Sequence, residues 1–400
     1  MEQSSTVYLR RLEIQKRLKG DEAVLAYQGP SAIRNNDVHH PFHANRTAYY
    51  VTGVNEPNCW TLITKNEQII WSEPNHPKRL IWEEARIADN YCQEHGFSQW
   101  YPIELLATKL PQYLKNISLV HTNAPPPNNL TIPNTKPLHE LVEPLRLIKN
   151  PDELDAIKTA CSISAACHNH ILSNRKHYTN ERHIEGAFLE KMYHLGVRSS
   201  AYPAIVATGS NACILHYTRN DQGINPNDIL LIDAGCEYKQ YASDITRCFP
   251  AKKQFSKQQQ AVYEAVLDTQ QFVLDQIKPG VTLSQLNIAT QKRVSLHLSD
   301  LTIINESAQV IYEHKLFQKY FPHGVGHTLG LDVHDIPTKK EQPLTAGMVI
   351  TIEPGIYIQS HSSFNDIGIR IEDVIHITNN SYENLSQGAL KTVSDIEHNY

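Results

Sequence analysis

Residues 228–249 read DILLIDAGCEYKQYASDITRCF. An apolar run, Ile229 to Ile232, ends at Asp233; a turn follows, and a second β-prone run carries Asp244 and Thr246. Two such runs joined by a short polar stretch predict a tight hairpin. Residues 233 and 244 are equidistant from the 238/239 midpoint. A hairpin with that register sets the two carboxylates opposite each other, on one face and close enough to share a ligand.

The design recurs over residues 348–377, MVITIEPGIYIQSHSSFNDIGIRIEDVIHI. An apolar strand ends at Glu353, a longer loop intervenes, and the return strand carries Arg370 and Glu372. We read a weak internal duplication: two hairpins face each other across a pseudo-twofold axis, and each supplies two carboxylates. Like charges in a poorly hydrated site raise one another's pKa and neutralise in part by protonation. Two divalent cations supply the matching charge, and carboxylates suit a metal pair held about 3.5–4 Å apart. One imidazole completes such an oxygen-rich site, and residues 323–335, HGVGHTLGLDVHD, offer it. Gly324 and Gly326 are expected to let the backbone pass close to the metals. His327 then reaches a cation, while His323 and His334 point towards bound substrate.

The rest of the chain sets the context. Its 400 residues favour two domains. With 40% apolar residues, 20% charged residues and a net charge of −5, it reads as a soluble globular protein with no basic excess for nucleic acid. No apolar run approaches the roughly 18 residues of a membrane span. The start, MEQSSTVYLRRLEIQKRL, lacks the apolar core of a secretory signal, and seven scattered cysteines without a CxxC pair argue for free thiols in a reducing cytoplasm. Before residue 125, apolar runs at Ala23–Tyr27, Tyr49–Val51, Trp60–Ile63 and Ile69–Trp71 alternate with amphipathic stretches at 7–19 and 79–95, the texture of a small α/β domain. NAPPPNNLTIPNTKP, rich in Pro and Asn, reads as a connector starting near residue 123 and leading up to about 147. Past it, Asn150 is expected to cap a helix with Pro151 at its first position.

Embedded in LLIDAGCEY, ASDITR, HGVGH, TIEPGIY and IRIED, the set Asp233, Asp244, His327, Glu353 and Glu372 resembles the ligands of the two-metal pita-bread peptidases: aminopeptidase P, prolidase and, more distantly, methionine aminopeptidase. The resemblance runs through nearly the whole chain. HPFHANRTAYYVTGVNEP is similar to the N-terminal domain of aminopeptidase P and prolidase; SNACILHYTRND and DAGCEYKQYASDITRCFP look closest to aminopeptidase P, whereas PHGVGH leans towards prolidase. It implies an α/β (α+β) protein with a smaller N-terminal α/β domain, residues 1–147, and a C-terminal pita-bread (creatinase/aminopeptidase) catalytic domain, residues 148–400.

The function implied is a dinuclear-metal aminopeptidase that hydrolyses the N-terminal Xaa-Pro bond of peptides with proline second. Prolidase is the alternative, as is a metal-free relative acting on creatine or as a binding module, against which all five ligand positions argue. Hard oxygen ligands with one imidazole favour two Mn²⁺ ions. The resemblance also makes Glu353 a proton carrier and gives His334 and His216 to the substrate oxyanion. Thr246, on the strand face of Asp244, can orient a ligand carboxylate, and Arg370 can offset negative charge or fix Tyr357. Trp82, in LIWEEARI, could match an aromatic that reaches a neighbouring subunit's active site in aminopeptidase P, but a core residue is the commoner reading and it is not counted among the site residues; a homo-oligomer, dimer or tetramer, is compatible with this reading.

Overall fold

The computed structural model describes residues 2–400 apart from 87–91, 93, 94, 127–129, 362 and 365. It divides into two compact units, Met1–Arg146 and Leu147–Tyr400.

The first unit begins with helix α1 (Glu2–Arg17), which covers most of the amphipathic stretch at 7–19. Its sheet contains β1 (Glu22–Tyr27), β2 (Trp60–Ile63), β3 (Gln68–Ser72), β4 (Gln99–Pro102), β5 (Leu119–Thr122) and β6 (Asn134–Pro137), in the order β4-β3-β2-β1-β5-β6. Leu25, Leu62, Ile69 and Trp71 are fully buried in its core.

Two expectations for this unit need correction, and a third is described only in part. Tyr49–Val51 is not a strand-like run but lies in helix α2 (Arg46–Thr52), which Asn45 caps by accepting from the Ala48 N–H and Gly53 ends in the left-handed region at φ 71°. Local capping outweighs the β-preference of Tyr-Tyr-Val. The presumed connector holds regular structure, because β6 adds in parallel to β5 as the edge strand, where a terminal proline is tolerated, and helix α4 (Leu138–Leu147) follows, α3 being Leu106–Tyr113. Of the amphipathic stretch at 79–95, Arg79–Ile81 forms a single 3₁₀ turn, and 87–91, 93 and 94 lie outside the described residues.

The second unit opens with helix α5 (Pro151–Asn174). The Asn150 side chain accepts from the Glu153 N–H and Glu153 reaches back to the Asn150 N–H, a reciprocal box that fixes where the helix starts. Helices α6 (Glu181–His194), α7 (Lys257–Leu274) and α8 (Leu283–Asp300) follow, the last two starting with the same box at Ser256 and Thr282. The strands that build the site are β7 (Ile205–Thr208), β8 (Ile229–Asp233), β9 (Cys236–Tyr238), β10 (Tyr241–Ala242), β11 (Thr246–Pro250), β12 (Val349–Ile352), β13 (Gly355–Ile358), β14 (Ile367–Arg370) and β15 (Asp373–Ile377). Their runs are buried on both faces, which is why ILLI and VITI show no polar alternation.

The first hairpin turns one residue later than expected. β8 pairs with β11 from Ile229↔Pro250 to Asp233↔Thr246, and β9 with β10 at Tyr238↔Tyr241. The turn is Lys239–Gln240, with φ 49° and 70°. Two left-handed residues make a turn whose twist matches the flanking strands. Asp233 therefore faces Thr246, and Asp244 is its diagonal neighbour on the same face. Direct opposition of carboxylates occurs in the second hairpin instead. There the ladders Ile352↔Asp373 and Gly355↔Arg370 share one register, which places Glu353 across from Glu372. The hairpins join where the Glu372 N–H donates to the Thr246 carbonyl at 3.1 Å.

Candidate active site

A cavity of about 380 Å³ in the second unit is lined by Asp233, Asp244, His327, Glu353 and Glu372, together with His216, His323, His334 and Arg370. Thr246 and Tyr357 stand behind this lining. Ligand atoms of Asp244, His327 and Glu372 lie within 4.8 Å of one another, near enough to hold one ion.

Each carboxylate is oriented by a donor. Arg370 Nη2 donates to Asp233 Oδ2 at 2.7 Å, its Nε to the Thr246 hydroxyl at 3.1 Å and its Nη1 to the Tyr357 hydroxyl at 3.0 Å. Thr246 in turn donates to Glu372 Oε2 at 2.7 Å. The hydroxyl of Tyr202 lies 2.7 Å from Asp233 Oδ1 and 2.6 Å from Asp244 Oδ1, bridging two carboxylates. No motif marks Tyr202 in the sequence; only its tertiary partners reveal it.

His327 is placed by backbone pairing. Residues 325–329 run beside β12: Glu353 N–H donates to Val325 O at 2.8 Å, Thr351 N–H to His327 O at 2.8 Å and Leu329 N–H to Val349 O at 3.0 Å. A Cβ on Gly326 would lie 1.9 Å from the Thr351 carbonyl oxygen, whereas one on Gly324 would meet nothing within 4 Å. Both glycines line the cavity; Gly326 in addition admits a neighbouring strand, whereas no protein atom crowds Gly324. The His327 Nδ1–H donates to Thr328 O at 3.1 Å, which leaves Nε2 facing Asp244 Oδ2 and Glu353 Oε1, each at 3.5 Å.

The other two histidines of this segment are held neutral. The His323 Nδ1–H donates to Gly324 O at 2.8 Å, so Nε2, 2.8 Å from the Tyr357 oxygen, accepts a hydrogen bond from that hydroxyl. Burial and the Arg370 charge hold His323 down at about 4. His334 is lowered by burial and by His327, whose ring centroid is 4.4 Å away in an edge-to-face contact. Beneath it, Asp335 forms a buried 2.9 Å ion pair with Lys149.

The electrostatics favour a multivalent cation. Burial, then mutual repulsion with Asp244, Glu353 and Asp233, pushes Glu372 well above the carboxylate range. Glu353 is lifted to about 7 by burial, against the pull of His327 and Arg370. Burial also raises Asp233 despite its pairing with Arg370. Burial alone would lower His327, but its hydrogen bond to Asp244 and the Glu353 charge lift it to about 9. Carboxylates that would rather be protonated, beside an imidazole that would rather be charged, form a donor set short of positive charge. Hard oxygen donors with one imidazole fit a divalent ion.

Known proteins are similar to this chain in sequence and fold. Residues 155–379 match metallopeptidase family M24, and residues 7–121 match the aminopeptidase P N-terminal domain. The Xaa-Pro aminopeptidase of Haemophilus influenzae is 35% identical, with 97% of this chain and 95% of that protein covered. The Escherichia coli enzyme of the same name is 30% identical over 97% of this chain and 96% of that protein. The structure of Escherichia coli aminopeptidase P with the inhibitor Pro-Leu superposes with a TM-score of 0.94 at 29% identity, covering 98% of this chain and 97% of that one. Aminopeptidase PepP of Pseudomonas aeruginosa also gives 0.94, at 30% identity over 99% and 97%. With both domain families matched in order and a full-length likeness at this identity, the chain belongs to metallopeptidase family M24, as a member of its aminopeptidase P branch with the pita-bread catalytic fold.

Proposed function

We infer that this chain is a metallo-aminopeptidase that releases the N-terminal residue from peptides with proline second. The observation that carries the reading is the convergence, in one cavity, of four carboxylates from two hairpins joined through Thr246 and one imidazole from the 325–329 segment. Asp233, Asp244, His327, Glu353 and Glu372 would hold two divalent ions, with Mn²⁺ favoured by the hard donor set. Such ions, when bound, acidify a water and polarise the scissile carbonyl.

The chain's own residues perform the remaining tasks. Glu353 takes the proton of the attacking water and passes it to the leaving nitrogen. His334 and His216, which line opposite parts of the sequence but one cavity, donate to the carbonyl oxygen as negative charge develops there. His323, with its tautomer set by Gly324 and Tyr357, presents a neutral ring edge to substrate. Arg370 and Tyr202 hold Asp233 in one orientation, so the carboxylate need not reorganise during turnover.

The aminopeptidase reading is preferred over prolidase because of where positive charge is committed. A dipeptidase must recognise the carboxylate of a terminal proline, and a longer peptide then meets an unpaired charge. Between Glu353 and Glu372 Arg370 is the single Lys or Arg in the sequence, and it is engaged by Asp233, Thr246 and Tyr357. The test compares Xaa-Pro-Yaa, Xaa-Pro and Xaa-Ala-Yaa side by side. The tripeptide with proline should show the highest kcat/KM, and Xaa-Ala-Yaa should be poor because alanine leaves the ring pocket partly empty. A clear preference for the dipeptide would identify a prolidase.

A further inference from the structure

Glu181, the first residue of α6, is fully buried, yet among the described residues no cation contacts its carboxylate. It accepts five hydrogen bonds instead. Oε1 takes the Thr208 N–H at 2.9 Å, the Thr208 hydroxyl at 3.1 Å and Asn211 Nδ2 at 3.2 Å; Oε2 takes the Tyr217 hydroxyl at 2.8 Å and the Gln222 N–H at 2.9 Å. All five donors come from residues 208–222, the segment that carries His216 to the cavity. A buried carboxylate is stable there because the donors replace its hydration and the helix N-terminus adds positive potential.

His216 has no hydrogen-bond partner of its own among the described residues, so its place depends on the backbone that bears it. That backbone is secured on both sides. Tyr217, the next residue, is buried against Glu181, and Asn220 bonds to Ala204 O at 2.9 Å and receives the Val206 N–H at 3.0 Å. The segment also sits against β14, where a Cβ on Gly368 would come within 2.2 Å of Ala212 O. One anionic side chain thus gathers the donors of a whole loop.

We propose that Glu181 is the positioning residue for His216, acting through Tyr217 and the 208–222 backbone; this rests on His216 having the substrate-binding role given above. Glu181→Gln keeps the shape but replaces one acceptor oxygen by an NH₂ that confronts existing donors on either side. The loop must then shift, and a displacement of about 1 Å at a catalytic group can cost roughly 10²-fold in rate.

The test is a double-mutant cycle on the metal-loaded enzyme with an Xaa-Pro-Yaa peptide. His216→Ala should lower kcat by roughly 10²-fold, as loss of an oxyanion donor does. Glu181→Gln should lower kcat about tenfold or more with bound metal unchanged, and should lower it less than about twofold in the His216→Ala background, because coupled residues are not additive. Tyr217→Phe, which removes the hydroxyl that reaches Glu181 and, at 3.5 Å, Asp221, but no charge, should act in the same direction and be similarly masked, and it serves if Glu181→Gln does not fold. Equal effects of these substitutions with and without His216 would overturn the positioning role while leaving the His216 reading intact. A neutral His216→Ala would overturn both.

Discussion

The Thr246 hydroxyl donates to Glu372 at 2.7 Å while Thr246 itself faces Asp233 across the first hairpin. A residue of one hairpin thereby orients a carboxylate of the other. Thr246→Val keeps the β-branched shape and removes the hydroxyl, leaving Glu372 Oε2 and Arg370 Nε each short of a partner. Weaker metal retention is expected, about 10–100-fold in affinity, the usual cost of losing a group that orients a ligand. Titration with chelator, followed by metal analysis, measures it; unchanged affinity would show that Thr246 is only a strand residue.

Metal content separates ligand from catalyst. About two divalent ions per chain are expected, with activity lost to chelator and restored best by Mn²⁺. Asp244→Ala should lower the metal content. His334→Ala should leave the metals in place and depress kcat by roughly 10²-fold. An emptied site in His334→Ala would move that histidine into the ligand set.

The glycines of the histidine segment should differ sharply. Gly326→Ala drives a methyl into the Thr351 carbonyl of β12, an overpacking that costs about 1–3 kcal/mol or more and displaces His327 with it. Gly324→Ala meets open space. Thermal unfolding of both variants, with metal analysis, checks the contrast. Equal destabilisation would mean that the pairing of 325–329 with β12 does not govern the segment.

Stability of the metal-free protein should fall as pH rises. His327 is lifted to about 9 by Asp244 and Glu353 against the effect of burial, above its ordinary value of 6.5. A raised folded pKa contributes stability in full below the unfolded value, and that contribution is lost as pH rises through the folded one. Glu353, raised by burial to about 7 from 4.5, has the same sign and has spent its contribution by pH 7. His323, depressed to about 4 by burial and Arg370, acts oppositely, adding stability between pH 4 and 6.5. The melting temperature of chelated protein should therefore decline between pH 7 and 9 by a few degrees, since 1 kcal/mol corresponds to roughly 2–4 °C in a unit the size of Leu147–Tyr400. Calorimetry across that range decides it, and a rising profile would contradict the assigned surroundings of His327.

Much of the site was legible because its carboxylates and histidines sit in distinctive local frames, such as DAGCEY and HGVGH, and strand-ending acids stand out after apolar runs. What escaped was tertiary. Tyr202 lies in SAYPAIV, where nothing local distinguishes it from a packed aromatic, yet it bridges Asp233 and Asp244. The first hairpin's register was missed because Lys239–Gln240 lacks the Asn-Gly signature of its turn type. Tyr49–Val51 and the 134–137 strand were misjudged for a related reason: capping at Asn45 and an open sheet edge override what composition suggests.

The register of the second hairpin carries an evolutionary consequence. Pairing from Gly355↔Arg370 to Ile358↔Ile367 is complete before the chain enters the 359–366 loop, so the alignment of Glu353 with Glu372 does not depend on how long that loop is. Insertions there leave the register of the two ladders undisturbed. Lineages of this fold are thus free to vary the length of this connection while the carboxylate alignment is inherited unchanged.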